Sequence, residues 1–195
     1  MVSSTAVVDE ILCTVVHFIK RGGRDRLPAL DIFPAALYVT DADGLITYFN
    51  PGCIDFAGRQ PTVGRDRWCV TWRLYTDDGD FLPHDRCPMA VAIETRSAVR
   101  GMTAIAERPN GTRVNFMPFP TPVMDGDGRL LGAVNMLVNV GDRKPSALRK
   151  LAKDLQAWRN LLMESELARF TIEEIRNLKG EIETELGRKG PRALH

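Results

Sequence analysis

Apolar and polar positions between Leu37 and Pro51 predict two short strands joined by a tight turn. The stretch from Asp41 to Gly44 carries the Asp and Gly residues that favour a turn, and an apolar run from Leu45 to Phe49 follows it. Asn50-Pro51 then ends the second strand, because proline has no N–H to donate and restricts the residue before it. The pattern therefore predicts a β-hairpin.

The pattern after the hairpin predicts short helical pieces, one longer helix and three more strands. The longer helix is expected over His84 to Arg96, with Met89 and Ile93 on its packing face. The three strands are expected at about Arg100 to Ala106, Thr112 to Met124 and Arg129 to Val140. The last strand is apolar on both faces, so it needs cover on both sides.

Amphipathic segments flank this central region. Residues 5–21 carry apolar residues at helical spacing, which predicts an N-terminal helix whose stripe can cover the outer face of the sheet. The tail from Pro145 to about Leu186 carries two further stripes. Thr171 and Glu174 have the spacing of a capping box, which favours a new helix and a helical hairpin; one unbroken coiled-coil helix is the alternative. We divide the chain into an N-terminal helix and loop (1–28), a central domain (29–144) and a helical tail (145–195).

Composition narrows the class of protein. The chain has 195 residues, of which 44% are hydrophobic, and a net charge of +1. This charge gives no case for a nucleic-acid partner, and no apolar run reaches the ~18–20 residues of a membrane span. Four scattered cysteines without a Cys-x-x-Cys pair, together with no signal-peptide pattern, predict a cytoplasmic protein with reduced thiols.

Four segments in order resemble a PAS sensory domain: Leu37 to Pro51, Arg108 to Arg113, Asp125 to Gly132, and Gly132 to Lys144. The resemblance implies an α+β fold, with a five-stranded antiparallel sheet, short helices over one face and added helices at both ends. PAS domains that signal through a C-terminal helix commonly end in Asp-Ile-Thr. This chain has Asn139, Val140 and Gly141 there, which changes the usual exit from the sheet.

The PAS resemblance also implies a ligand pocket between the sheet and the predicted helix. Six residues are candidates for its lining: Trp72, His84, Met89, Phe116, Asn135 and Leu137. Asn135 is the notable one, since a buried amide needs hydrogen-bond partners.

No catalytic motif occurs in the chain, so we expect no enzymatic activity and no bound cofactor. Flavin-binding relatives carry Asn-Cys-Arg-Phe-Leu-Gln on a central helix, and no cysteine here has those neighbours. The alternative is a haem-based redox or gas sensor with His84 as the proximal ligand, because a neutral imidazole can ligate iron. Cys87 is a weaker candidate for a thiolate ligand on the same segment.

The expected function is that of a stand-alone bacterial PAS signalling protein. It would sense a small molecule, act as a dimerising adaptor for a signalling partner such as a sensor kinase, or do both. The apolar stripes of the terminal helices predict a homodimer, because a symmetric contact would bury them. Neither nucleic acid nor a membrane is an expected partner.

Overall fold

The computed structural model describes residues 9, 12–17, 19–20, 30–141 and 153–161. The chain divides into two units, Met1–Gln156 and Ala157–His195. Described residues 12–17 are helical, as the N-terminal stripe predicts, and so are residues 153–161. The predicted helix start at Thr171 lies outside the described residues. Within the described part of the chain, no helix is long and apolar enough to cross a membrane.

The first unit contains an antiparallel sheet with helices over one face. Its strands are β1 (Ala36–Asp41), β2 (Ile46–Phe49), β3 (Arg73–Tyr75), β4 (Phe81–Leu82), β5 (Ala104–Glu107), β6 (Arg113–Pro118), β7 (Thr121–Met124) and β8 (Leu130–Asn139). Its helices are α1 (Pro51–Ala57), a 3₁₀ turn (His84–Arg86) and α2 (Pro88–Thr95). The strand order is β2-β1-β8-β6-β5-β3-β4, with β7 also paired to β8. The predicted α+β fold, an antiparallel sheet with flanking helices, is confirmed.

The predicted number of five strands is wrong, because the described residues form a sheet of eight. Two of the additional strands, β3 and β4, are only three and two residues long, too short for alternation to reveal. The third arises because the predicted strand from Thr112 to Met124 is interrupted at Phe119 and Pro120. Pro120 has no N–H for the ladder, so the pairing to β8 is interrupted there. We call Phe119 and Pro120 the β6–β7 break.

The predicted helix from His84 to Arg96 is also corrected. Pro88 disfavours helical geometry at the preceding residue, and Cys87 is accordingly extended, with φ −70° and ψ 162°. The segment therefore divides into the 3₁₀ turn and α2, which ends at Thr95 and is capped by Arg96 in the left-handed conformation, with φ 53°. His84 consequently lies before α2 rather than on it.

The predicted hairpin turn is confirmed in detail. The Asp41 carboxylate accepts the backbone N–H groups of Asp43 and Leu45, at 3.0 and 2.9 Å. Gly44 is left-handed, with φ 82°, and a Cβ atom there would lie 2.2 Å from the Trp68 ring. Only glycine meets both requirements. The turn and the indole are therefore packed directly together.

Both faces of β8 are buried, as its sequence predicts. Ala133 and Leu137 belong to the main hydrophobic core, beneath the helices. Val134 and Met136 lie on the opposite, outer face and are completely buried. In the N-terminal helical segment, Leu12 and Val15 are also completely buried.

Candidate functional site

A buried phenol and a buried amide form the centre of the candidate site. Tyr38 on β1 and Asn135 on β8 are directly opposite in the antiparallel register, and both face the core. Asn135 Nδ2 donates to the Tyr38 hydroxyl oxygen at 2.9 Å. The Tyr38 hydroxyl in turn donates to the carbonyl oxygen of Trp68 at 2.9 Å. Burial raises the pKa of Tyr38 well above its usual value, so the phenol stays protonated and keeps this donor role.

The other end of the Asn135 amide reaches the β6–β7 break. Asn135 Oδ1 accepts the backbone N–H of Phe119 at 2.9 Å, and the carbonyl of Met136 accepts the same N–H at 2.9 Å. We call the chain of bonds from the Trp68 carbonyl through Tyr38 and Asn135 to the Phe119 amide the core polar network. It connects the centre of the core to the β6–β7 break.

Local geometry explains why the Trp68 carbonyl is available to Tyr38. Trp68 adopts a left-handed conformation with φ 68°, and its N–H donates to the Gly44 carbonyl at 2.8 Å. Just before it, Ile46 N donates to the Asp66 carbonyl at 2.9 Å, so this segment lies along the edge of β2. A left-handed tryptophan is uncommon and is held here by the contact with Gly44.

Three cysteine thiols surround the same part of the core. Cys53 donates to the Leu37 carbonyl at 3.2 Å, and Cys69 lies 3.2 Å from the Thr71 hydroxyl. Burial raises the pKa of the Cys53, Cys69 and Cys87 thiols, that of Cys87 to about 12. Thiols of this kind are protonated at neutral pH and are poor nucleophiles.

Two buried polar atoms have no hydrogen-bond partner within the described part of the chain, Thr40 Oγ1 and His84 Nε2. Thr40 is 2% exposed and lies on the same face of β1 as Tyr38, two residues away. A buried polar atom without a partner is destabilising by ~1–3 kcal/mol, so such atoms are candidates for contact with a bound molecule.

His84 lies at the margin of the core beside an ion pair. Arg59 Nη2 is 2.5 Å from Asp66 Oδ2, and Arg59 Nε donates to the Val70 carbonyl at 3.0 Å. Burial lowers the pKa of His84, and the positive charge of Arg59 lowers it further. The imidazole is therefore neutral at pH 7, with Nε2 unpaired. No group of three or more His, Cys, Asp or Glu residues among those described is arranged to bind a metal ion.

The six residues predicted to line a pocket are only partly brought together. Met89, Phe116 and Leu137 belong to the main core, where Tyr38 also lies, and Asn135 joins them through the core polar network. Trp72 is 51% exposed and lies outside this cluster. Their role as pocket residues stays a prediction. The sequence analysis missed the roles of Tyr38, Thr40 and Trp68; a tyrosine and a threonine at alternate positions of an apolar strand were the available signal.

Comparison with known proteins finds similarity to solved structures. No family model and no curated protein matches the chain. It is similar to the blue-light photoreceptor Aureochrome1 LOV domain in its light state, at 19% identity and a TM-score of 0.45, covering 66% of this chain and 96% of that one. It is similar to the light-state dimer of the fungal photoreceptor Vivid at 21% identity and a TM-score of 0.42, covering 54% of this chain and 77% of that one. It is also similar to the PAS domain of the fruit-fly ELK potassium channel, at 12% identity and a TM-score of 0.43, covering 54% and 86%.

Proposed function

We propose that this chain is a non-enzymatic PAS-type signalling protein that senses a small molecule in its core. The observation that carries the proposal is the core polar network, which joins Tyr38 in the apolar interior to the β6–β7 break. A molecule that enters the core and competes for these bonds would alter the sheet at the break. This path of hydrogen bonds between the core and the β6–β7 break supports the proposed sensing function.

The ligand that fits this site is small and mainly apolar, with one hydrogen-bonding group. Most core side chains are aliphatic or aromatic, which favours apolar contact. Thr40 Oγ1 supplies an unpaired hydroxyl on the same face as Tyr38. A hydroxyl or carbonyl group on the ligand would pair with it.

Thermal stability in the presence of a panel of small apolar alcohols and ketones tests this proposal. A compound that binds the folded core raises the midpoint temperature, and Thr40→Val reduces this shift because the hydroxyl is removed. Thr112→Val is the matched control, since Thr112 is exposed. No stabilisation by any compound, or an equal shift in wild type and Thr40→Val, would count against the proposed site.

The proposed signalling unit is a homodimer held by the terminal helices, which docks on a signalling protein such as a sensor kinase. The apolar stripe of residues 145–186, in which Leu161 is exposed, supports this proposal, because a partner chain would bury it, whereas Leu12 and Val15 of the N-terminal stripe are already buried within the chain. Light scattering at micromolar concentration is expected to give the mass of a dimer, and deletion of residues 145–195 is expected to give a monomer. A monomeric full-length chain would contradict the dimer.

His84 favours a second candidate function, that of a haem-based sensor. Its imidazole is neutral and its buried Nε2 has no partner in the described chain, which fits an iron ligand. Bound haem would supply redox or gas-binding chemistry at this place. An absorbance spectrum separates the candidates: a Soret band that disappears in His84→Ala would favour haem, a flavin spectrum would overturn the expectation of no cofactor, and neither band would favour the first proposal.

A further inference from the structure

Arg100, in the connection between α2 and β5, contacts three different parts of the first unit. Its Nη1 donates to the carbonyls of Val99 and Pro120, at 2.8 and 2.9 Å, and its Nη2 donates to Thr121 Oγ1 at 2.8 Å. The guanidinium carbon also lies 5.8 Å from the centre of the Phe119 ring. Arg100 is therefore fixed on the β6–β7 break and the first residue of β7.

The fourth hydrogen bond of Arg100 reaches the N-terminal helical segment. Nε donates to Asp9 Oδ1 at 2.6 Å, and the arginine side chain is 22% exposed, against 47% for the aspartate. Leu12 and Val15 follow Asp9 at intervals of three residues and are completely buried. The ion pair thus ties the beginning of a packed helical segment to the break.

The β6–β7 break is consequently held from two directions. From the core, Asn135 Oδ1 accepts the Phe119 N–H, and from the surface, Arg100 bonds the Pro120 carbonyl. A movement of this two-residue segment that follows a change at Asn135 also moves the acceptors of Arg100. The same guanidinium holds Asp9, so the displacement is passed to the helical segment.

We propose that Arg100 is a coupling residue that links the hydrogen-bonding state of the core polar network to the docking of the N-terminal helical segment. The proposal rests on the proposed function, since it describes how a change in the core reaches an element at the surface. When Asn135 loses its bond to Phe119, Arg100 releases Asp9, and Leu12 and Val15 become exposed.

Hydrogen exchange of the full-length chain, followed by mass spectrometry without added ligand, tests the coupling. Arg100→Gln is expected to speed exchange in peptides spanning residues 12–17 by roughly tenfold or more, because a charge-assisted contact is lost. Arg113→Gln is the matched control. Arg113 also pairs with a carboxylate, Glu107, at 3.0 Å and lies over an aromatic ring, Tyr75, but on the sheet. Arg113→Gln should therefore leave the exchange rate in residues 12–17 unchanged.

Substitutions in the core provide the decisive arm. Asn135→Leu, or the milder Tyr38→Phe if the first does not fold, should speed exchange both at the Phe119 amide and in residues 12–17. In the Arg100→Gln background, the same core substitutions should add nothing further at residues 12–17, because the link is already broken. Thr71→Val serves as a core control outside the network, because it also removes a buried hydroxyl, one that contacts Cys69 Sγ at 3.2 Å.

Three outcomes would overturn the coupling. The first is faster exchange at Phe119 with unchanged exchange in residues 12–17. The second is a double variant in which the effects of Arg100→Gln and Asn135→Leu on the exchange rate of residues 12–17 multiply, because independent effects would do so. The third is a rise in the exchange rate of β1 and β8 equal to that in residues 12–17, which indicates global unfolding. Ligand stabilisation measured on Arg100→Gln separates this proposal from the proposed function. If the ligand still binds but the coupling fails, the proposed sensing function stands and the role of Arg100 does not. If no ligand binds but the coupling is observed, the role of Arg100 stands and the proposed sensing function does not.

Discussion

Tyr38→Phe removes one oxygen atom from the centre of the core and should destabilise the protein clearly. The hydroxyl makes two bonds, to the Trp68 carbonyl and from Asn135 Nδ2, each 2.9 Å long. The substitution leaves both groups buried without this partner, although Cys87 Sγ at 3.9 Å keeps a weak contact with the carbonyl. At ~1–3 kcal/mol for each group, with the lower value for the carbonyl, we expect a loss of about 2–3 kcal/mol in the free energy of unfolding.

The assay is equilibrium denaturation in urea, supported by thermal unfolding, where this loss corresponds to a decrease of roughly 4–12 °C in Tm for a chain of this size. Tyr48→Phe is the matched control. The Tyr48 hydroxyl donates to Asp31 Oδ1 at 2.6 Å in an exposed position. Water can replace that bond, so the same atomic change should lower the free energy of unfolding by less than about 1 kcal/mol.

A double-mutant cycle with Asn135→Leu then tests whether the two side chains act together. Because they share a hydrogen bond, the double variant should lose less than the sum of the single losses, by about 1 kcal/mol. If Tyr38→Phe behaves like Tyr48→Phe, or if the two core substitutions are additive, the core polar network does not exist in solution as described.

Three further predictions concern other sites. Gly132→Ala should destabilise by about 1–3 kcal/mol, because its Cβ would lie 2.0 Å from the Thr40 carbonyl oxygen, whereas Gly126→Ala, with nothing within 4 Å, should be neutral in denaturant titrations. The pKa of His84 is lowered from 6.5, so below that pH the unfolded state binds more protons than the folded one and stability falls as the pH decreases. In denaturation experiments, the free energy of unfolding of His84→Gln should therefore fall less between pH 7 and 5 than that of the wild type. A thiol reagent should modify one cysteine in the native protein, the exposed Cys13, and four after denaturation; rapid native labelling of more than one would contradict the burial of Cys53, Cys69 and Cys87.

The hairpin and the double burial of β8 could be predicted because each depends on local chemistry. In the Asp41 to Gly44 turn, the Asp41 carboxylate accepts backbone N–H groups and Gly44 adopts the left-handed conformation. Both features are indicated by the residue types. The break at Phe119 and Pro120 was missed because proline at one position does not show whether pairing resumes beyond it. β3 and β4 were missed for a different reason: they exist only because neighbouring strands supply partners.

The candidate site was predictable only in part, because its contacts depend on register. Asn135 could be selected as a buried amide needing partners, but nothing in the sequence identifies Tyr38, almost a hundred residues away, as that partner. Trp72 was selected as an aromatic near a cavity, yet it precedes a short strand near the sheet edge and is largely exposed. Periodicity assigns a side chain to a face of a strand, not to a place along it.

The core polar network also has a structural consequence for the sheet in which it lies. A one-residue slip of β1 against β8 would turn Tyr38 toward the outer face, where Val134 and Met136 offer no hydrogen-bond partner. Apolar residues at both positions would remove that penalty, and such replacements are often nearly neutral in stability. The polar pair therefore contributes less to total stability than to the choice of one register. That register places Asn135 Oδ1 on the Phe119 amide, so the bonds that align the sheet are the same bonds through which a change in the core would reach the β6–β7 break.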